Sequence, residues 1–188
     1  MAEILLNFPD HFETERLIIR SPLSGDGKIV YEAVIESLAE LRKWPASLPW
    51  SLEEPSLDSS EAYCRICHSA FLARKDLPML IFQKSDNALV GATGLHRINW
   101  DIPKFEVGYW GRTRFCKKGL ITEAVKGITE FAFTYLNANR LECFPDSENW
   151  PSRLVAERAG YHLEGIMLNE RREPNGNLRN TCIYAITR

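Results

Sequence analysis

Residues 116–121 read Cys-Lys-Lys-Gly-Leu-Ile and stand directly before a segment with helical periodicity. Gly119 lets another molecule approach the backbone closely, and Lys117 and Lys118 add positive charge. The free N–H groups and the dipole of a helix N-terminus favour a bound anion such as a phosphate. Thr122 could cap that helix or donate a hydrogen bond. The alternative is a solvated basic turn, because many strand-to-helix junctions contain glycine and lysine.

Glu106 lies between Phe105 and Val107 in a segment that alternates like a β-strand. Partial desolvation of such a carboxyl group raises its pKa, which makes the carboxylate a better proton acceptor near neutral pH. The alternative is a strand residue that points into solvent, since alternation exposes every second side chain.

The cysteines and histidines fit no metal or haem site. Residues 64–68 match the C-x-x-C-H motif of c-type haem attachment, but that chemistry requires export, and Cys67 lies on an apolar helix face. Zinc needs four ligands, and this cysteine pair has no second closely spaced pair. Cys116 has lysine neighbours but no histidine nearby in sequence to act as a base. No metal-spaced pair occurs among His11, His68, His96 and His162.

Length and composition suit one α/β domain over residues 1–188, because 188 residues with 45% hydrophobic content can bury one core. A net charge of −2 gives no overall field to hold a polyanion, so we expect no nucleic-acid partner. The chain shows no basic, apolar leader and no run that could span a bilayer. We therefore expect a cytoplasmic protein with no membrane partner, whose five cysteines are reduced.

Periodicity and turn residues predict the order β-α-α-β-β-β-α-β-α-β-β. The predicted strands cover residues 16–23, 79–85, 89–98, 105–111, 140–145, 161–172 and 178–186. The first helix begins at Ser24 or Asp26 and stops at Trp44-Pro45, and the second ends before Pro78. The third helix begins near Thr122, and the fourth covers residues 151–159.

The second helix is predicted to bury one face, formed by Ala62, Tyr63, Ile66, Cys67, Ala70 and Phe71. One mixed sheet of about seven strands, with helices on both faces, accommodates the whole order.

This order resembles the GCN5-related N-acetyltransferase (GNAT) superfamily, and in particular its branch of ribosomal-protein N-terminal acetyltransferases (RimJ/RimL-like). The resemblance runs from about Glu13 to the C-terminus. Three segments carry it in the family's order: ETERLIIRSPL, FEVGYWGRTRFCKKGLITEAV and RLECFPDSENWPSRLVAERAGY. It implies a GNAT fold with a mixed, mostly antiparallel sheet.

The resemblance also implies acetyl-CoA as co-substrate, with its pyrophosphate at the loop before the third helix. The family motif there is Arg or Gln, two residues, Gly, one residue, then Gly or Ala. This chain keeps Gly119 and has Cys116 and Ile121 at the outer positions. The expected acetyl-CoA contacts are Trp110, Arg112, Cys116, Lys117, Lys118, Gly119, Leu120, Ile121, Thr122, Asn149 and Ser152.

Asn149 and Ser152 match the family's Asn-x-x-Ser, in which the asparagine binds the pantetheine arm and the serine lies near the thioester sulfur. The alternative is that both only shape and cap a helix start. By the same resemblance Glu106 is the expected general base. Many members carry a tyrosine acid where this chain has Ala156, so Ser152 is the expected proton donor to the thiolate.

The oxyanion donor is expected to be a backbone N–H near Tyr109 or Trp110. Trp44 and Trp50 lie in the loop where the resembling family builds its acceptor wall, although simple surface packing of both indoles is the alternative. The expected acceptor is a protein N-terminal α-amine. One alternative is a small-amine acceptor, such as a polyamine or an antibiotic. The other is that the protein is a non-catalytic acyl-CoA-binding module.

Overall fold

The computed structural model describes residues 3–188. Its helices are α1 (Gly27–Leu41), α2 (Leu57–Leu72), α3 (Leu120–Tyr135) and α4 (Trp150–Arg158). Its strands are β1 (His11–Glu13), β2 (Leu17–Arg20), β3 (Leu77–Gln83), β4 (Leu89–Asn99), β5 (Lys104–Gly111), β6 (Arg140–Cys143), β7 (His162–Arg172) and β8 (Leu178–Thr187). None of the described helices combines the length and apolar character needed to cross a membrane.

The strands form one eight-stranded sheet in the order β1-β2-β3-β4-β5-β6-β8-β7. Only β5 and β6 pair in parallel, so the predicted mixed, mostly antiparallel sheet is confirmed. The expected count of about seven strands missed β1. That edge strand has three residues, and one alternation of exposed His11 and Glu13 around Phe12 is too short to predict a strand from sequence.

Helices cover both faces of the sheet. Along β5, Phe105 and Val107 belong to the core cluster that includes the buried side of α3. Trp110, on the opposite face, packs on the smaller cluster formed with α1, α2, β3 and β4. The alternation of β5 therefore assigns Glu106 and Trp110 to the face covered by α1 and α2.

The buried face of α2 differs from the prediction. Ile66 is 68% exposed, whereas Cys64 is fully buried and Cys67 is 9% exposed. Close packing of α1 on α2 sets this rotation, because Gly27 leaves room where a Cβ would lie 2.6 Å from the Glu61 backbone. Burial raises the pKa of Cys64 to about 12 and that of Cys67 to about 11, so both thiols of the C-x-x-C-H motif stay protonated near neutral pH.

Candidate active site

A gap opens in the middle of the sheet where β5 and β6 separate. The two strands pair only from Lys104–Glu106 to Arg140–Glu142, after which β5 continues to Gly111 beside β4 alone. The chain after β6 instead follows β8, with Asp146 bridged to Thr181. We call the gap between residues 107–111 and residues 143–146 the wedge.

Backbone donors of β5 face the wedge. The N–H of Arg112 donates to the Val90 carbonyl at 2.7 Å, on the β4 side. Hydrogen bonding alternates along an antiparallel strand, so the N–H groups of Tyr109 and Gly111 point to the other side, into the wedge. These are the donors that an acyl oxygen or an extended amide chain placed in the wedge would meet.

The N-terminus of α3 closes one end of the wedge. Gly119 precedes the helix with φ +76°, a left-handed conformation that favours glycine, and Lys117 has φ +63°. The helix begins at Leu120, two residues earlier than predicted, so Thr122 lies in the first turn and does not cap it. The Glu123 N–H is the first to bond back, to the Gly119 carbonyl at 3.0 Å, which leaves the preceding N–H groups of the first turn for a ligand.

Ile121 and Gly111 fit together at this loop. A Cβ on Gly111 would lie 2.9 Å from Cγ1 of Ile121, so the isoleucine side chain fills the space above a glycine of β5. Its bulk is therefore directed at the sheet. Cys116 lies nearby, with Sγ 3.6 Å from the Arg112 carbonyl, and burial raises the pKa of this thiol.

Two residues that were expected to bind the co-substrate, Arg112 and Trp110, contact other side chains of the protein. The Arg112 side chain is 8% exposed and its Nε lies 2.7 Å from Oε2 of Glu36 on α1, so its charge is already paired. The Trp110 ring lies 6.1 Å from the ring of Trp50, centre to centre. Trp50 is 42% exposed, and Trp44 is half-buried in the same loop.

The loop that carries both tryptophans is joined to the far side of the wedge by Arg171 of β7. Its guanidinium donates to the Ser47 hydroxyl at 2.8 Å and to the Phe144 carbonyl at 3.2 Å. The loop between α1 and α2 thereby lies over the end of the wedge, next to Trp110.

Asn149 and Ser152 meet at the start of α4. The Asn149 side-chain oxygen accepts from the Ser152 N–H at 3.2 Å, so Asn149 caps the helix, as the structural alternative expected. The cap leaves the amide nitrogen of Asn149 without a hydrogen bond inside residues 3–188. The Ser152 hydroxyl donates to the Tyr109 oxygen at 3.2 Å, and the Tyr109 hydroxyl donates to the Ser152 carbonyl at 2.8 Å.

Glu106 lies at the narrow end of the wedge and 18% of its side chain is exposed. Burial raises the pKa of Glu106, against the opposing effect of Arg97, His96 and Arg171, and Glu142 raises it further. Nη1 of Arg97 lies 2.8 Å from Oε2, but its N–H groups are not aligned to donate, so Oε2 is buried without a hydrogen bond. Burial without a hydrogen bond therefore favours the neutral form of the Glu106 carboxyl group.

The two candidate proton-transfer groups approach the wedge from opposite faces of the sheet. Glu106 and Tyr109 are three residues apart on one strand, so their side chains alternate to different faces. Ser152 shares the face of Tyr109 through their hydrogen bond. Among residues 3–188 no group of His, Cys, Asp or Glu side chains is arranged to hold a metal ion.

A family model described as an acetyltransferase (GNAT) domain matches residues 16–162. This chain belongs to the GNAT acetyltransferase family.

Relatives of this GNAT chain agree with that assignment. A Bacillus subtilis (strain 168) protein, YdaF, whose name proposes a ribosomal N-acetyltransferase, is 38% identical over 80 residues. That match covers 43% of this chain and 44% of YdaF, so it spans less than half of either protein.

Solved GNAT structures share the fold along almost the whole chain. The microcin C7 self-immunity acetyltransferase MccE, solved with acetyl-CoA and AMP, has a TM-score of 0.85 at 20% identity and covers 96% of this chain and 98% of its own. RimL, a ribosomal L7/L12 α-N-protein acetyltransferase solved with coenzyme A, has a TM-score of 0.83 at 20% identity, covering 93% and 95%. The GNAT fold expected from the sequence is confirmed.

Three side chains at the site of this GNAT chain were not predicted from its sequence. The expected role near Tyr109 concerned the backbone N–H and not the hydroxyl, and no role was expected for Arg97 or Arg171. Arg97 has φ +46° beside a register shift of β4, and no local sequence pattern predicts either feature. Arg171 reaches a residue 124 positions away.

Proposed function

We propose that this chain, acting as one domain over residues 1–188, transfers the acetyl group of acetyl-CoA to a primary amine, and that a protein N-terminal α-amine is the acceptor. The observation that carries the proposal is the wedge. It joins the N-terminus of α3 at Gly119, free backbone donors at Tyr109 and Gly111, and ionisable groups on both faces.

The residues present fit acetyl-CoA. The first turn of α3, with Lys117 and Lys118, would hold the pyrophosphate. The pantetheine arm would run along the free edge of β5, with the amide nitrogen of Asn149 as a further donor. When bound, acetyl-CoA supplies the acetyl group and a thiolate leaving group.

The chain's own residues provide the proton transfers. Glu106, with its raised pKa, accepts a proton from the incoming amine. The Tyr109 N–H stabilises the charge that develops on the acyl oxygen. Ser152, hydrogen-bonded to the Tyr109 hydroxyl, donates a proton toward the leaving sulfur. No covalent intermediate on the protein is needed for this direct transfer.

Basicity favours the N-terminal acceptor. An α-amine has a pKa of about 8, whereas a lysine ε-amine has one of about 10.4, so far more of the α-amine is neutral at pH 7. A site with the single carboxylate Glu106 therefore handles α-amines more easily. The names of YdaF and RimL support a protein acceptor, and the exposed Trp50 ring offers an apolar surface for the first residues of a peptide.

Thiol release from acetyl-CoA tests the proposal, with three acceptor sets: peptides with a free N-terminus and no lysine, the same peptides N-terminally blocked with one lysine, and small polyamines. We expect turnover with the first set and little with the others. Turnover with polyamines alone would show that the acceptor is a small amine, and the assignment as an acetyltransferase would stand. Tight acetyl-CoA binding without turnover on any amine would instead indicate a binding module.

A further inference from the structure

His96 faces Glu106 across adjacent strands. The two residues are direct partners in the β4–β5 register, so their side chains share one face of the sheet. Nδ1 of His96 lies 2.8 Å from Oδ1 of Asp76, and the imidazole is 34% exposed. When Nδ1–H donates to the carboxylate, Nε2 of the neutral ring carries the lone pair. No described residue hydrogen-bonds to Nε2.

Two glycines make room for this ring. A Cβ on Gly94 would lie 2.6 Å from Nε2 of His96, and a Cβ on Gly108 would lie 2.9 Å from the same atom. Gly94 and Gly108 are themselves direct partners on β4 and β5. The imidazole therefore lies flat on the sheet, with Nε2 beside Gly108, where β5 has already separated from β6.

The proton that Glu106 accepts needs a route to solvent. A general base must release the proton it has accepted before the next turnover, and this side chain is only 18% exposed, with Oε2 buried. The described groups that interact with it electrically are Arg97, His96, Arg171, Glu142 and Cys143, and burial keeps the Cys143 thiol protonated near neutral pH. The two arginines cannot accept a proton.

The other neighbours leave His96 as the acceptor. Glu142 already lies 2.6 Å from Nε of Arg140 and 3.5 Å from Nζ of Lys104. Tyr63 and Cys67 of α2 interact with Asp76, the partner of His96, and the pKa of each is raised, so both stay protonated near neutral pH. Of the described ionisable groups that interact with Glu106, His96 alone combines a free lone pair with contact to solvent.

We propose that the Asp76–His96 pair is a proton relay for Glu106. The proton that Glu106 takes from the amine passes, through one bridging water, to Nε2 of His96 and from there to solvent. The proton moves without any change in oxidation state, and Asp76 stabilises the imidazolium while it exists. This inference rests on the proposed acetyl transfer and adds a second proton-accepting residue to it.

The test is the turnover of His96→Asn in weak buffer. Asparagine keeps an N–H donor for Asp76 but has no counterpart of Nε2. We expect kcat to fall roughly ten- to a hundred-fold with the KM for acetyl-CoA unchanged, as for a lost proton-transfer group. Added imidazole should restore kcat in proportion to its concentration. Glu106→Gln should lose activity that imidazole does not restore.

His11→Asn is the matched control, because Nδ1 of His11 also lies 2.8 Å from an aspartate, Asp10, but at the far edge of the sheet. It should keep the wild-type kcat at every imidazole concentration. A His96→Asn variant with wild-type kcat, or with a loss that imidazole leaves unchanged, overturns the relay. A wild-type protein that acetylates no amine would instead refute the proposed function itself.

Discussion

The hydroxyl groups of Tyr109 and Ser152 lie 3.2 Å apart and join β5 to the first turn of α4 across the wedge. The Tyr109 hydroxyl also donates to the Ser152 carbonyl, so the two residues hold each other by two hydrogen bonds. Burial raises the pKa of Tyr109, which keeps the phenol protonated and able to donate.

Ser152→Ala should lower kcat by roughly ten- to a hundred-fold while leaving the affinity for acetyl-CoA nearly unchanged, because the lost hydroxyl would act on the leaving thiolate. Tyr109→Phe should cause a smaller loss, since the serine hydroxyl remains. Steady-state kinetics with calorimetric titration of CoA separate the two effects. Ser147→Ala is the control, and a Ser152→Ala variant weakened only in CoA affinity would make Ser152 a binding residue.

Glu106→Gln should lower turnover by roughly ten- to a thousand-fold near neutral pH, because the base is removed. The deficit should shrink as pH rises, since the amine then deprotonates unaided. A pH–rate profile of both proteins measures this. A deficit that stays constant with pH would contradict the assignment of Glu106 as base.

The same substitution should raise the melting temperature at alkaline pH. The folded-state pKa of Glu106 is raised, so its contribution to stability is present at low pH and is lost as pH rises through that pKa. Glutamine avoids the buried charge, and its stabilising effect should be larger at pH 8 than at pH 5. Glu142→Gln, which breaks contacts with Arg140 and Lys104, should destabilise instead.

Gly119→Glu should weaken CoA binding sharply, because a negative side chain would stand where the phosphates are expected. Gly176→Glu is the control, since Gly176 also has a left-handed backbone, with φ +93°, but lies in the distant turn between β7 and β8. Both variants should lose some stability from the strained conformation. Only Gly119→Glu should abolish the thermal shift produced by CoA, and equal shifts in both variants would show that the phosphates bind elsewhere.

Trp50→Ala should raise the KM for a peptide acceptor more than the KM for acetyl-CoA, because the exposed ring lies on the α1–α2 loop beside Trp110. Trp50→Phe keeps an aromatic ring and should be milder. An Arg171→Gln variant, which loses the contact with Ser47, should act in the same direction as Trp50→Ala. If all three variants keep the wild-type peptide KM, the acceptor does not contact this loop.

Local sequence determined the order of the elements apart from β1, and the position of the loop before α3. Periodicity of the apolar residues and the positions of Gly119 and the prolines are properties of neighbouring residues, so they can be read without the fold. The family resemblance added Glu106, Asn149 and Ser152 as expected site residues because it rests on motifs of the same local kind.

Tertiary structure alone decided which distant groups meet. Tyr109 and Ser152 are 43 residues apart, and Arg171 and Ser47 are 124 apart, and no local pattern relates either pair. The facing of His96 and Glu106 depends on strand register, and the rotation of α2 depends on how closely α1 can pack at Gly27. Alternation tells which residues share a face of a strand, but only the packing of the whole chain selects that strand's neighbours.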